Sequence, residues 1–381
     1  MRSTLLAVAA LAVLLSGCAR ATTEPPAPAA AGTSEPGGAW ERLPDPPLSG
    51  RVGSVMTTVG DRVLVVGGWE WLCPPNADCA HPDDLPLLRD GALLDVATGT
   101  WQAIAEAPFG VRHGRAVSIG GEVYVVTGCR GSVGCDATLE LLRYDTSADQ
   151  WTELGQVPRP APSYATLVGV DGRLLVLGDS DESGERPDHL YDPATGSWQQ
   201  LPDDPLPDVY DRWAVADEDR LLVFGSPIRQ GTQVKVGASY DLTSGAWTEL
   251  PDAPGAGYQV WRSGDEAWLN PHFGSAGGGV LDLRTDTWAP LPDLPAGLRD
   301  NPDLAGVLGH GAATYEHDEG WVRDTEHDTW VRIAPRQSEA YDERATAVGD
   351  ALVVFGGQRW DGLEDHEGEL VAETWIWRPD R

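Results

Sequence analysis

Five short stretches carry the side chains best suited to binding: Arg51; Arg112 with His113; Tyr164; Tyr210, Asp211 and Arg212; and Tyr341, Asp342, Glu343 and Arg344. A guanidinium fork orients a carboxylate, and phenols and imidazoles orient oxygen atoms. Such a set suits a carboxylate, a sugar or a protein side chain. The same residue types also suit an Arg–Asp/Glu network that holds neighbouring elements in register, and the sequence leaves both readings open. Glu343 and Asp211 could serve as a general base, but nothing in their spacing singles them out, so no catalytic residue is assigned. The eight histidines are scattered singly and define no ligand set, so no metal or cofactor is assigned either.

Two stretches repeat Cys-x5-Cys: Cys73 and Cys79 in "WEWLCPPNADCAHPDDLPLLRD", and Cys129 and Cys135 in "CRGSVGC". In an exported chain this reads as two local disulfides, with cross-pairing left open. The spacing is longer than that of a usual zinc site. The acidic stretches "HPDDLP" (81–86) and "LEDHEGE" (363–369) lack the ligand spacing of a calcium loop and read as solvated charge.

These residues belong to a chain of 381 residues with 59 acidic and 27 basic side chains, a formal charge of −32. Such a surface repels nucleic-acid phosphates and anionic headgroups. The chain is rich in Gly, Pro and Trp, which suits many short strands joined by turns.

The first residues, "MRSTLLAVAALAVLLSGC", place Arg2 before an apolar run from Leu5 to Leu15. That run is short for a membrane span and has the form of an export signal. Leu15-Ser16-Gly17-Cys18 resembles a bacterial lipobox, which implies lipidation of Cys18 and membrane contact through the lipid alone. Residues 19–39, rich in Pro, Ala, Gly, Ser and Thr, read as a flexible tether. The expected domains are therefore a signal peptide (1–18), a tether (19–39) and a folded region (40–381).

Within 40–381 one phrase recurs. An Asp is followed six residues later by Trp at Asp95/Trp101, Asp145/Trp151, Asp192/Trp198, Asp241/Trp247, Asp282/Trp288 and Asp324/Trp330. Turn formers link each pair, so each unit predicts a strand, a tight turn and a strand beginning at Trp. Before several of these lies another strand pair, as in "RVGSVMTTVGDRVLVVGG" (51–68) and "ATAVGDALVVFGG" (345–357). Four strands per unit, at a period of forties to about fifty residues, is the pattern of a β-propeller blade. The chain resembles the kelch repeats, carried by the Gly67-Gly68 and Gly356-Gly357 doublets, the Tyr-Asp pairs, the Trp positions, and Arg51 and Arg112, each sixteen residues before a Gly.

"WERLPDPP" from Trp40 reads as an outer strand without a blade in front of it, and "ETWIWRPDR" as a third strand without a fourth. Joining them predicts an all-β, closed seven-bladed propeller, with a six-bladed ring carrying one degenerate insertion as the alternative. With strands named a to d from the axis outward, the d–a and b–c loops share one face. They vary in length and content, and that is where binding is expected. The repeated Trp residues are expected to pack between blades.

The resemblance implies a monomeric binding module on the extracytoplasmic face of the cell membrane, meeting a protein or glycan of the cell envelope. The alternative is a carbohydrate-active enzyme of oxidase-like or epimerase-like type with its site in the channel mouth. The galactose-oxidase-like version implies Tyr and His copper ligands and a Tyr joined to a Cys. Here each mature Cys beyond Cys18 has a candidate disulfide partner nearby.

Overall fold

The computed structural model describes residues 37–74, 76–77, 79–80, 85–127, 139–158, 165–178, 188–228, 234–255, 257–271, 278–291, 304–308, 311–316, 319–324, 329–336, 338, 340–360 and 367–380. Among them every regular element is a strand. The lipobox Cys18, Tyr164, Cys129 and Cys135 lie outside the described residues.

The strands form four-stranded antiparallel sheets that follow one another along the chain. The first is Val55–Val59, Arg62–Val66, Gly91–Asp95 and Thr100–Ala103, taken here as its strands a to d. The second runs from Arg115–Ile119 to Gln150–Gln156, the third from Ala165–Val170 to Ser197–Gln200, and the fourth from Val209–Asp217 to Ala246–Glu249. The fifth runs from Gly257–Ser263 to Thr287–Ala289, and the sixth from Leu304–Leu308 to Thr329–Arg332. The remaining sheet takes strands from both chain ends. Arg344–Val348, Ala351–Phe355 and Thr374–Arg378 are its a, b and c strands, and Ala39–Arg42 pairs with the last of these, Trp40 opposite Trp377. Just before Ala39–Arg42, the Gly37 amide donates to the Arg332 carbonyl at 2.8 Å.

The c–d turns explain why one phrase recurs. In the third sheet the Asp192 carboxylate accepts the Ala194 amide at 2.8 Å, and the Gly196 amide closes the turn on the Asp192 carbonyl at 2.8 Å. Gly196 takes a φ of 67°, where a Cβ would be strained. Asp95, Asp145, Asp241 and Asp282 make the same capped turn. Hydrogen bonds from the turn hold each of these carboxyls below the ordinary range.

Six residues on, the Trp reaches across to the preceding sheet. The indole N–H of Trp151 donates to the Ala105 carbonyl at 2.8 Å, Trp247 to Pro202 at 2.9 Å, Trp288 to Pro251 at 2.9 Å and Trp40 to Ala334 at 2.6 Å. On its own sheet the Trp packs against the Tyr of strand c, as in Tyr191–Trp198 with centroids 4.9 Å apart. The repeated Trp is therefore a staple between sheets, as expected of it.

The b strand of the first sheet is apolar after Arg62. Val63, Leu64, Val65 and Val66 are fully buried, because the first sheet is covered on both faces. The cores accordingly lie between successive sheets. Val59 and Leu64 of the first pack with Val123 and Val125 of the second, and Leu175 and Leu190 of the third with Leu221 and Val223 of the fourth.

A small three-stranded sheet, Ala340–Tyr341, Gln358–Trp360 and Gly368–Leu370, adjoins the sheet that takes both chain ends. It continues strands a, b and c beyond Gly356-Gly357, towards the d–a and b–c loops.

Candidate functional site

The predicted binding residues fall on the approach to the a strands, and the structure divides them into two groups. One group is consumed in ion pairs with at least one buried member. Arg51 is almost fully buried; its Nη1 and Nη2 donate to the two Asp90 oxygens at 2.7 and 2.8 Å, and Nη1 also donates to the Gly67 carbonyl at 3.1 Å. This bond holds the Asp90 carboxyl below its ordinary value.

Arg212, also buried, donates to Asp188 at 2.9 and 2.6 Å, to Asp204 at 2.7 Å and to the Gly178 carbonyl at 2.9 Å. Burial would lower its pKa, but Asp188 and Asp204 outweigh burial and hold it above its ordinary value. Because Asp188 and Gly178 belong to the third sheet and Arg212 to the fourth, this network fastens the two together.

Glu343 receives a very short bond from Arg336. Burial pushes its carboxyl up to about 7, although Arg336 acts in the opposite direction. For Arg51, Arg212 and Glu343 the register-holding network is the arrangement present.

Arg51 and Arg112 do not occupy equivalent places, despite their shared sixteen-residue spacing. The Gly357 amide donates to the Arg51 carbonyl at 3.0 Å, and the Gly68 amide donates at 2.7 Å to Val111, not to Arg112. Likewise the Gly67 and Thr127 amides bond the equivalent carbonyls of Asp90 and Glu140. Thr127 thus stands where Gly67 does, so Gly128, sixteen residues after Arg112, aligns in sequence with Gly68. Arg112 lies one residue later, buried, with its guanidinium 4.1 Å from the Trp69 ring centre.

The second group is exposed or half-buried. His113, Asp211 and Asp342 share one conformation, with φ of 49°, 49° and 56°, and Gly53 takes the same place at 65°. Two residues after each, strand a is under way. Arg115 and Arg344 occupy that position in the second sheet and in the sheet that takes both chain ends. Arg344 Nη2 lies 3.3 Å from His113 Nδ1, across 231 residues of sequence. Burial, then the nearby Arg115 charge, lower the Arg344 pKa, with Asp342 acting against them. His113 sits edge-on to Trp69, with ring centres 6.4 Å apart.

Arg115 was not among the residues singled out from the sequence. The signal was available, since "RAVSIGGE" and "RATAVGDA" align Arg115 with Arg344 once the strands are matched on their turns.

Around this cluster the loops are cross-tied. The Gln358 side chain accepts the Cys73 amide at 3.0 Å and donates to Asp342. It thereby joins the b–c loop of the first sheet to the small sheet, where Tyr341 pairs with Gln358. Cys73 and Cys79 are disulfide-bonded, as the Cys-x5-Cys spacing predicts for that pair. Lys235 Nζ donates to the Asp211 carbonyl at 2.7 Å, and Tyr210 beside it is 37% exposed. Among the described residues no three His, Cys, Asp or Glu side chains converge to hold a metal ion.

No protein-family model matches the chain. It is similar to Kelch-like protein terF of Aspergillus terreus, 25% identical over 319 residues that cover 76% of this chain and 65% of that protein. It is also similar to Kelch-like protein 35 of Mus musculus, 33% identical over 111 residues, which are 29% of this chain and 18% of that one. These relatives support a kelch-repeat family for the chain. The antiparallel four-stranded sheets are consistent with a kelch β-propeller. A stretch of 116 residues is 33% identical to an N-acetylneuraminate epimerase of Haemophilus influenzae, covering 28% of this chain and 30% of the enzyme. The chain covers less than two thirds of each of these relatives' own length.

Proposed function

We propose that the chain is a lipid-anchored, extracytoplasmic kelch-type module, a closed ring of seven blades that binds its partner through the face carrying the d–a and b–c loops. Four-stranded sheets succeed one another, and the strand at Ala39–Arg42 completes the sheet built from the C-terminal end. In support of a ring, the a strands of successive sheets lie side by side, with Arg344–Val348 next to Val55–Val59. Val353 and Phe355 also share a core with Val63 and Leu94 of the first sheet. The lipobox-like Leu15–Cys18 supports the anchor.

The choice of face rests on one contrast. The opposite face carries stereotyped turns whose Asp carboxylates are satisfied by their own backbone. The d–a/b–c face carries the exposed Tyr210 and Leu72, each 37% accessible, the exposed Arg115, and His113 3.3 Å from the half-buried Arg344. To test this, Tyr210→Ala and Leu72→Ser chains would be used in affinity capture from detergent-solubilised cell envelopes, with Thr195→Ala on the other face as control. Loss of the captured protein only in the first two supports the reading, and equal capture by all three refutes it.

A second reading is favoured by the stretch similar to the epimerase and by the Glu343 carboxyl at about 7, within range of a general base. Its test is to follow N-acetylneuraminate by NMR with wild type and Glu343→Gln. Glu343-dependent exchange would move the assignment to an enzyme.

A further inference from the structure

The b–c loop of the first sheet leaves strand b at Trp69 and returns by Asp90, and it is tied on each side to a different part of the chain. On the outgoing side, the Cys73 amide donates at 3.0 Å to the buried Gln358 side chain, which in turn donates to Asp342. Asp342 stands in the left-handed region, with φ of 56°, and leads into Glu343 and Arg344. On the returning side, the Arg89 carbonyl accepts the Ala107 amide at 2.8 Å, and the Leu88 carbonyl accepts the Val111 amide at 3.3 Å. Leu87 lies so close to Gly110 that a Cβ on that glycine would stand 2.3 Å from the Leu87 Cβ. The loop is therefore a strap, fixed to the small sheet at one side and to the segment entering the second sheet at the other.

Cys73 and Cys79 are joined between these two anchorages. Cys73 is buried, Cys79 is half-buried, and Ala77 and Ala80 beside it are exposed. The exposed Leu72 directly precedes Cys73. A disulfide with a sequence separation of 6 closes a small loop, so it restricts the strap far more than it holds the whole fold. Gln358 links the two, because one side chain bonds the Cys73 amide and the Asp342 carboxylate at once.

We propose that the Cys73–Cys79 disulfide is a reducible latch on the binding face. Closed, it holds Leu72 and residues 342–344 in the arrangement that binds a partner; opened by a dithiol, it releases both. The inference rests on the d–a/b–c face being the binding face. A thiolate of the dithiol attacks the Cys79 sulfur, and Cys73 leaves as a thiolate that takes up a proton. The dithiol's second thiol then displaces Cys79, so two electrons and two protons pass to the pair, and the dithiol ends as a disulfide.

The experiment takes the full chain in detergent, treats it with dithiothreitol, caps thiols with iodoacetamide and removes the reductant. Mass spectrometry reads capping at Cys73 and Cys79, hydrogen exchange is followed in peptides covering 69–73 and 340–344, and envelope capture is repeated. The expected result is capping of both cysteines without denaturant, exchange about tenfold or more faster in both segments, and capture lowered about tenfold. Cys73→Ser with Cys79→Ser should match the reduced chain and not respond to dithiothreitol, which separates this pair from Cys129 and Cys135. Gln358→Leu should speed exchange at 340–344 with the disulfide closed. Resistance of the disulfide to native-state reduction, or unchanged exchange at 340–344 once both cysteines are capped, overturns the latch. If Tyr210→Ala loses capture while the reduced chain captures as well as the oxidised one, the face reading stands and only the latch falls. An oxidised wild type that captures nothing refutes the face reading, and with it the latch as a control of binding, even where exchange responds.

Discussion

Replacing Arg212 and Arg344 in turn by methionine separates an arginine held by two carboxylates from one that makes no ion pair among the described residues. Arg212 is buried against Asp188 and Asp204, whose side chains are 6% and 0% exposed. Methionine in its place removes the arginine partner of two buried carboxylates, and breaking a buried pair in this way costs about 3–5 kcal/mol. With roughly 2.1 cal/mol/K per residue over about 340 folded residues, the unfolding entropy is about 0.7 kcal/mol/K, so a loss of about 4 kcal/mol lowers Tm by about 6 °C. Arg212→Lys should recover little, since one ammonium cannot reproduce a fork that spans Asp188, Asp204 and the Gly178 carbonyl. Arg344→Met removes no ion pair among the described residues and relieves both the burial of its charge and the repulsion with Arg115, so its Tm should fall by no more than about 1 °C. Differential scanning calorimetry at neutral pH decides the matter. A fall below about 2 °C for Arg212→Met, or an equal fall for Arg344→Met, would refute the distinction between ion-paired Arg212 and Arg344.

Three further outcomes are expected. Glu343 has a folded pKa near 7 against an ordinary 4.5, so the folded state holds its proton more tightly; stability falls as pH rises between those values, by up to about 3 kcal/mol, and Glu343→Gln should flatten that part of a urea-denaturation pH series. Asp192→Ala should lower Tm at neutral pH, and because the Asp192 carboxyl is held below its ordinary range, the difference from wild type should shrink as pH falls through that range in thermal melts. Cys73→Ser with Cys79→Ser opens a six-residue separation and should cost about 2 kcal/mol in the loop-entropy account, read by chemical denaturation under non-reducing conditions.

Much of the fold was legible because its rules are local. An Asp carboxylate caps amides two and three residues on, a left-handed residue closes the turn, and Trp follows at a fixed interval. These relations lie within one turn of chain and repeat, so the sequence displays them directly and they determine the strand pairs and the stapling role of Trp. The pairing of Trp40 with Trp377 was legible for the same reason, as two incomplete phrases at opposite ends.

The site was only partly legible. Arg51, Arg212 and Arg344 read alike as arginines entering inner strands. Which of them meets a carboxylate depends on where Asp90, Asp188 and Asp204 arrive from other strands and loops. Counting to a Gly placed Arg112 in register with Arg51, and only the backbone hydrogen bonds of Gly68 and Gly357 reveal the one-residue offset. The meeting of His113 and Arg344 across 231 residues was fixed by the packing of sheets on both sides of the first and by the absence of a side chain at Gly53. The sequence by itself determined the repeating unit, because turn chemistry acts between near neighbours. The tertiary structure alone decided which charges are spent and which converge, because burial and charge separation are set by how the sheets pack.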